Sequence, residues 1–126
     1  MDAVRLHEWV AAYNWDDGVA SVWPIVDSPR TQFATALLIY WRLGGPWLEA
    51  DAAPVNAEAR RLQAAVRERL LSGFYVRGPS RFDPAEELSS VQLHHLRRAG
   101  TPGLLLVPRG RNNYPLEGDS LSGLGK

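Results

Sequence analysis

The stretch that most constrains the fold is "RTQFATALLIYWRL", residues 30–43, which carries charge only at Arg30 and Arg42. Between these two positions no side chain is charged at neutral pH, so burial removes no charge from water and apolar packing alone can drive the segment into a core. Apolar residues occupy almost every side of the helix, which is typical of a helix buried on most sides. The sequence "GGP" at 44–46 then gives the usual order of helix-ending residues. We therefore predict a buried central helix over residues 30–43.

Further helices are predicted on both sides of this segment. The first runs from about Asp2 to Tyr13, where apolar residues recur at a spacing near 3.6, and Asn14 is expected to end it in the left-handed conformation. A short one is predicted over 22–26, where a proline fits only a first turn. The clearest amphipathic pattern begins after Asn56, which is expected to cap the helix, and ends at Gly73.

The C-terminal third contains one more helix signal and one short apolar run. At "DPAE", Asp83 is the expected cap, Pro84 takes the first helical position and Glu86 lies three residues after the cap. This helix is expected to reach about Ala99. The apolar run at 104–107 is too short for a helix, so we predict a short extended segment there.

The chain length and composition favour one packed domain. A chain of 126 residues with 45% apolar residues, including five Trp, is long enough for a single core. We predict a mainly α fold, a compact single domain of four or five helices over 1–108, with 109–126 as a surface tail. Seven residues are expected to share one contiguous core: Trp15, Phe33, Leu37, Trp41, Leu62, Val66 and Leu70.

Charge and cysteine content exclude several classes of protein. The chain has no cysteine, which excludes disulfides and thiolate chemistry. Its net charge is zero, but residues 1–58 carry a balance of −5 and residues 59–126 a balance of +5. The scattered arginines lack the concentrated basic face that nucleic-acid binding needs. No signal peptide or membrane-length apolar run is visible, so we expect a cytoplasmic protein without membrane contact.

The search for catalytic and metal-binding motifs finds none. HExxH, CxxC, GxSxG and GxGxxG are absent, and the terminal "GLGK" lacks the remaining parts of a phosphate loop. The adjacent His94 and His95 would point roughly 100° apart on a helix, which is poor geometry for one metal, and His7 stands alone. We therefore predict no catalytic residue, no metal site and no cofactor.

The stretch "YNWDDG", residues 13–18, places two adjacent acids between a tryptophan and a glycine. In a connection between helices, Asp can cap the next helix, Gly18 permits a tight turn and Trp15 would anchor it. Asp16 and Asp17 could instead bind a metal or act as acid and base, although no third ligand is identifiable. They could also present negative charge to a basic protein partner. We expect Asp17 to be the cap and Asp16 the more exposed acid.

These stretches resemble the bacterial family catalogued as domain of unknown function 4274. The resemblance rests on "YNWDDG" and "TALLIYWRL", and more weakly on "LQAAVRERLLSGFY" and "FDP", and spans roughly residues 6–84. It implies a small helical bacterial domain and no particular activity. The residues assigned a structural role in its motifs are Asn14, Trp15, Gly18 and Trp41.

Two functions from different classes follow as expectations. The favoured one is a non-enzymatic protein-binding module, most specifically an immunity protein that neutralises a cytoplasmic bacterial toxin, because small families of this kind often occur beside such toxins. Its partner-binding residues are expected to be acids in the negative half of the chain: Asp16, Asp17, Glu49 and Asp51. The alternative is a small enzyme or a metal- or ligand-binding domain that uses the Asp pair.

Overall fold

The computed structural model describes residues 2–107, and six α-helices account for most of that range. They are α1 (Ala3–Ala12), α2 (Trp23–Val26), α3 (Phe33–Leu43), α4 (Gly45–Glu49), α5 (Ala57–Ser72) and α6 (Ser90–Arg98). The mainly α fold is confirmed, and the described residues contain no strand. The helix that the sequence did not predict is α4. It begins directly after α3 because the glycine pair that ends α3 is followed by a proline, which suits a first helical turn.

Helix α3 is the centre of the fold, as predicted. Eight consecutive residues, 34–41, are buried. The helix starts at Phe33, later than expected, because Gln32 before it is extended and forms a parallel bridge with Val76 in the segment after α5. The Phe33 N–H donates to the Val76 carbonyl at 2.7 Å, and the Val76 N–H donates to the Thr31 carbonyl at 3.1 Å. This short parallel pairing fixes the entry of the chain into α3.

Helices α1 and α5 both pack against α3 and complete the core. Three residues of the apolar stripe on α5, Leu62, Val66 and Leu70, are fully buried, as is Val10 of α1. The predicted single core is confirmed. Five of its seven predicted members are buried and two, Trp15 and Phe33, are partly buried against the others. The buried five are Leu37, Trp41, Leu62, Val66 and Leu70.

Two predicted helix ends are wrong and one is confirmed. Asn14 is not left-handed (φ −87°), because α1 ends in an extended Tyr13. Asn56 does not cap α5, because its side-chain amide donates to Asp51 at 2.7 Å instead. Gly73 does end α5, in the left-handed conformation at φ 79°.

The helix predicted from Asp83 to Ala99 is two elements. Asp83 and Glu86 form the expected capping box, but it opens only a 3-10 turn, Pro84–Glu86. Ser89 then begins α6 with a second capping box. Leu88, between the two boxes, is buried, so the chain turns to insert this side chain into the core before α6 starts.

The extended segment predicted at 104–107 is also wrong. Residues Gly103–Leu105 form a 3-10 turn, because the segment is held by packing of single side chains and has no strand to pair with among the described residues. Leu105 and Leu106 are buried, and the Leu105 carbonyl accepts a hydrogen bond from Trp41 Nε1 at 2.8 Å. The predicted surface tail, 109–126, lies outside the described residues.

Candidate functional site

The candidate site is the acidic turn, defined as residues 13–18, which follows α1 and is held by hydrogen bonds between its own residues. Residues Trp15–Asp17 form a 3-10 turn, and the Asn14 side-chain oxygen accepts from the Asp16 N–H at 3.1 Å. The Tyr13 hydroxyl donates to the Gly18 carbonyl at 2.7 Å across the base of the turn. Gly18 has φ 90°, a conformation that favours glycine. The turn is thus fixed by hydrogen bonds at both ends.

An aromatic cluster lies beneath the acidic turn and joins it to the core. The ring of Tyr13 lies 4.8 Å from that of Trp9 and 5.1 Å from that of Trp15, the latter contact being edge-on. All three side chains are partly buried against the core. Such contacts restrain ring orientation as well as burying apolar area. The indole N–H of Trp15 is buried and has no acceptor among residues 2–107, so packing is what holds this ring.

The two carboxylates of the turn point away from these restraints. Asp16 and Asp17 are exposed, and neither side chain has a hydrogen bond or ion pair within the described part of the chain. The prediction that Asp17 caps the next helix is wrong: α2 begins at Trp23 after Val22, which supplies no side-chain cap. Asn14 performs the capping in this turn instead. Both charges are therefore available to a partner.

Glu49 has intramolecular partners that hold α4 against the core. Its Oε2 atom accepts from the Tyr40 hydroxyl at 3.2 Å and lies 3.4 Å from Arg67 Nε. Burial, with the charge of Glu49 as a second cause, raises the pKa of Tyr40, so this phenol stays protonated and donates. Glu49 connects α3, α4 and α5.

Asp51 organises the loop between α4 and α5. One of its carboxylate oxygens accepts from the Ala53 N–H at 2.9 Å, and the other accepts from the Asn56 amide at 2.7 Å. The Asp51 carbonyl also accepts from Arg60, which donates to the Ala53 carbonyl as well. The Asp51 carboxylate is therefore occupied within the loop, in contrast to the acids of the turn.

The partners of two polar side chains, the buried Gln32 and the partly buried His7, were not found from the sequence. Gln32 is 1% exposed, and its amide makes three hydrogen bonds that join the start of α1 to Ser80. His7 of α1 places its Nδ1 atom 2.7 Å from Thr35 Oγ1 of α3. Burial lowers the pKa of His7. In the sequence each of them is only a polar residue within or next to an apolar pattern, and such a pattern does not show which residue the side chain will contact.

The acidic turn has no metal-binding group beside it within the described part of the chain. Among residues 2–107, no group of three or more His, Asp or Glu side chains is arranged to hold a metal ion. His94 and His95 are exposed on α6. None of the helices within that range is both long enough and apolar enough to cross a membrane.

The fold and the turn define a small helical domain with an acidic turn fixed on a core helix. The sequence model of the family described as a domain of unknown function (DUF4274) matches residues 1–71. Because the match covers more than half of the chain, the protein belongs to that family. The matched part includes the acidic turn and α3 but stops before "FDP", so it is shorter at this end than the resemblance suggested. No curated protein and no solved structure matches the chain.

Proposed function

We propose that this protein is a non-enzymatic protein-binding module whose acidic turn contacts a basic surface of a protein partner. The observation that carries the proposal is the state of Asp16 and Asp17, which are exposed and have no intramolecular partner within residues 2–107. A carboxylate that already has an ion pair gains little from a second one, whereas these two bring their full charge to an interface. Binding to a basic surface requires no third converging group, unlike catalysis or metal binding.

The rigidity of the acidic turn supports the same function. Association is weakened when a loop must be ordered on binding, and a preorganised loop avoids that cost. Here the Asn14 cap, the Tyr13–Gly18 hydrogen bond and the packed Trp15 hold the backbone of the turn in place. The two acids are thus displayed at a fixed position relative to α1 and α3.

In its most specific form the proposal is that the protein is an immunity protein and that the partner is a cytoplasmic bacterial toxin. An immunity protein acts by covering the active site of its toxin, for which a fixed acidic surface suits a basic or otherwise polar cleft. The gene neighbourhood is a direct check, because a toxin-like reading frame immediately upstream supports this form. A metabolic operon contradicts it and favours an enzyme or ligand-binding domain that uses the Asp pair.

The experiment begins with capture of the partner from the native host and continues with measured kinetics. Asp16→Asn and Asp17→Asn, singly and together, should leave the thermal melting curve unchanged because neither side chain has an intramolecular bond to lose. Asn14→Ala should lower stability by about 0.5–2 kcal/mol, the usual cost of losing a cap. The double Asn variant should associate with the partner roughly threefold to tenfold more slowly at low salt, with the difference shrinking at high salt.

A control variant that removes the same charge elsewhere distinguishes a direct contact of the acidic turn from long-range electrostatic attraction by the whole protein. Glu68→Gln removes one exposed acid from α5 and should change association much less than Asp16→Asn. An association rate unaffected by the double substitution would remove the acidic turn from the interface. Tight stoichiometric binding of a divalent metal in calorimetry, lost in both Asn variants, would assign the turn to the metal-binding class instead.

A further inference from the structure

The acidic turn and helix α4 lie at the same end of the fold, because α1 and α3 run parallel. Where the two helices begin, the Gln32 amide donates to the Ala3 carbonyl at 2.9 Å. Near their ends, the Arg42 guanidinium donates to the Ala11 carbonyl at 3.1 Å. The acidic turn follows α1, and α4 follows α3, so both elements come after the parallel ends of the two helices.

This end of the fold, named the α4 end and consisting of the acidic turn and residues 45–56, is small enough for one protein partner to cover. Packed helices lie about 8–10 Å apart. One side of a standard protein–protein interface covers about 800 Å², which corresponds to a patch about 30 Å across. The acidic turn and α4 can therefore belong to a single interface.

Trp47 on α4 is the one exposed aromatic side chain among residues 2–107. It is 50% exposed, and its ring centroid lies 6.4 Å from that of the buried Trp41. This contact restrains the indole, because Trp41 is itself held by its hydrogen bond to Leu105. Tryptophan often dominates binding energy, since a large ring with two rotatable bonds buries much area at little cost in conformational freedom. Trp47 is therefore preorganised to enter a pocket on a partner.

A second apolar side chain is displayed just before α5. Val55 lies in the 3-10 turn Pro54–Asn56 and is 87% exposed. The turn is fixed by the Asn56 amide, which donates to Asp51 at 2.7 Å, and by Arg60, which donates to two carbonyls of the same loop. A partner that buries Val55 thus has no loop to order on binding.

The charged residues of the α4 end are all acids. The acidic turn and residues 45–56 contain neither lysine nor arginine and four acids: Asp16, Asp17, Glu49 and Asp51. Arg67 lies beside Glu49, and Asp51 is hydrogen-bonded within its loop, so both already have partners. Asp16 and Asp17 have none within residues 2–107. An apolar centre beside two uncompensated acids complements a basic protein surface and repels an anionic one.

We propose that the α4 end is a composite interface in which Trp47 and Val55 form the apolar centre and the acidic turn forms the charged rim. The inference rests on the proposed function and deepens it by naming the partner surface, which is a basic protein surface around an apolar pocket that admits an indole. The two parts act on different steps of binding. Charge at the rim raises the association rate, whereas a buried aromatic anchor slows dissociation.

Fluorescence quenching tests the geometry without a partner. The signal of Trp47 is the part of the emission that Trp47→Phe removes, and its ratio of caesium to iodide quenching reports the local electrostatic potential. Two charges at roughly 10–15 Å in water change the local concentration of a monovalent ion by about 1.5-fold to twofold at low salt. Because the two ions respond in opposite directions, the double Asn variant should lower the ratio about twofold to fourfold. An unchanged ratio would place the acidic turn too far from Trp47 for a shared interface.

A library of random peptides displayed on phage is the binding probe, selected on the immobilised full-length protein. Enriched peptides should combine lysine or arginine with apolar residues. For synthesised peptides, Trp47→Ala should weaken binding by about tenfold or more, mainly through faster dissociation. The double Asn variant should instead slow association at low salt, by roughly threefold to tenfold. Leu71→Ala removes an apolar side chain that is 38% exposed at the opposite end of the fold, beside the start of α3, and should change neither rate.

Two further variants separate loss of binding from loss of fold. Trp47→Ala also removes the contact with Trp41, so its melting curve is compared with that of Trp47→Phe. The latter keeps a ring beside Trp41 and should bind with intermediate strength. Val55→Ala should leave the melting curve unchanged, because Val55 is 87% exposed, and should weaken peptide binding less than Trp47→Ala does.

Each remaining outcome decides against one part of the proposal. Binding that depends on the two Asp residues but not on Trp47 would overturn this inference and leave the proposed function standing. Binding that depends on Trp47 alone would remove the acidic turn from the interface and count against the proposed function itself. Enrichment of acidic peptides, or of none, would refute the composite interface. Dimerisation without peptide that Trp47→Ala abolishes would assign the α4 end to a second copy of the chain instead.

Discussion

The pair Gly45→Ala and Gly73→Ala tests how tightly the start of α4 is packed against the core. Both glycines have positive φ, 53° and 79°, which an alanine adopts only with strain. They differ in the space available. A Cβ atom at Gly45 would lie 2.6 Å from Trp41 Cζ3, whereas at Gly73 it would meet no atom within 4 Å. The two substitutions therefore share the backbone strain and differ in the steric clash.

Trp41 has little freedom to relieve that clash. It is 4% exposed, its indole N–H donates to the Leu105 carbonyl at 2.8 Å, and its ring meets Tyr40 edge-on at 5.0 Å. Gly73→Ala should cost about 1–2 kcal/mol, the strain of one left-handed alanine. Gly45→Ala should cost a further 1–3 kcal/mol or so, which is typical of an overpacked site.

Urea denaturation followed by far-ultraviolet circular dichroism measures both losses. Near-ultraviolet circular dichroism should change for Gly45→Ala, because the environment of Trp41 is disturbed, and should remain the same for Gly73→Ala. If the two variants lose the same stability, the close approach of α4 to Trp41 is absent and our reasoning about this junction is refuted.

Two further predictions concern the contacts of α3. Leu37 is fully buried, so Leu37→Ala should lower the unfolding free energy by about 2–5 kcal/mol in urea denaturation. Leu71 is 38% exposed, so the control Leu71→Ala should cost much less. Similar losses in the two variants would contradict the packing of α3. The pKa of His7 is lowered in the folded state, so the unfolded chain binds its proton more tightly and stability should fall as pH drops through 6.5 and below. Melting at several pH values should show a shallower decline for His7→Gln but not for His95→Gln, and equal declines would refute the role of His7.

The helices that were predicted correctly are those for which several sequence features indicate the same structure. Helix α3 has no charge over its central residues, and α5 combines an apolar stripe with a terminal glycine. The error between Asp83 and Ala99 came from reading one capping box where the sequence contains two. Asp83 with Glu86 and Ser89 with Gln92 each open their own element, six residues apart.

The acidic turn was located from the sequence, but its internal roles were not. Asn and Asp are nearly equal as helix caps, so propensity could not decide between Asn14 and Asp17. The backbone conformation determines which residue is the cap, because the single 3-10 turn places the Asn14 side chain beside the Asp16 N–H. Gln32 could not have been assigned at all, since its partner Ser80 is 48 residues away and local patterns carry no information about such pairs.

The hydrogen bond from Trp41 to Leu105 limits how far the chain can be shortened from its C-terminal side. The family match ends at residue 71, yet a carbonyl 34 positions later holds the indole of the central helix, and Phe82, Leu88 and Leu105 fill the same core. A protein shortened to residues 1–71 would leave this apolar surface in water and should aggregate. The family match is thus shorter than the folded domain. Fragments for expression or crystallisation should keep the chain at least to Val107.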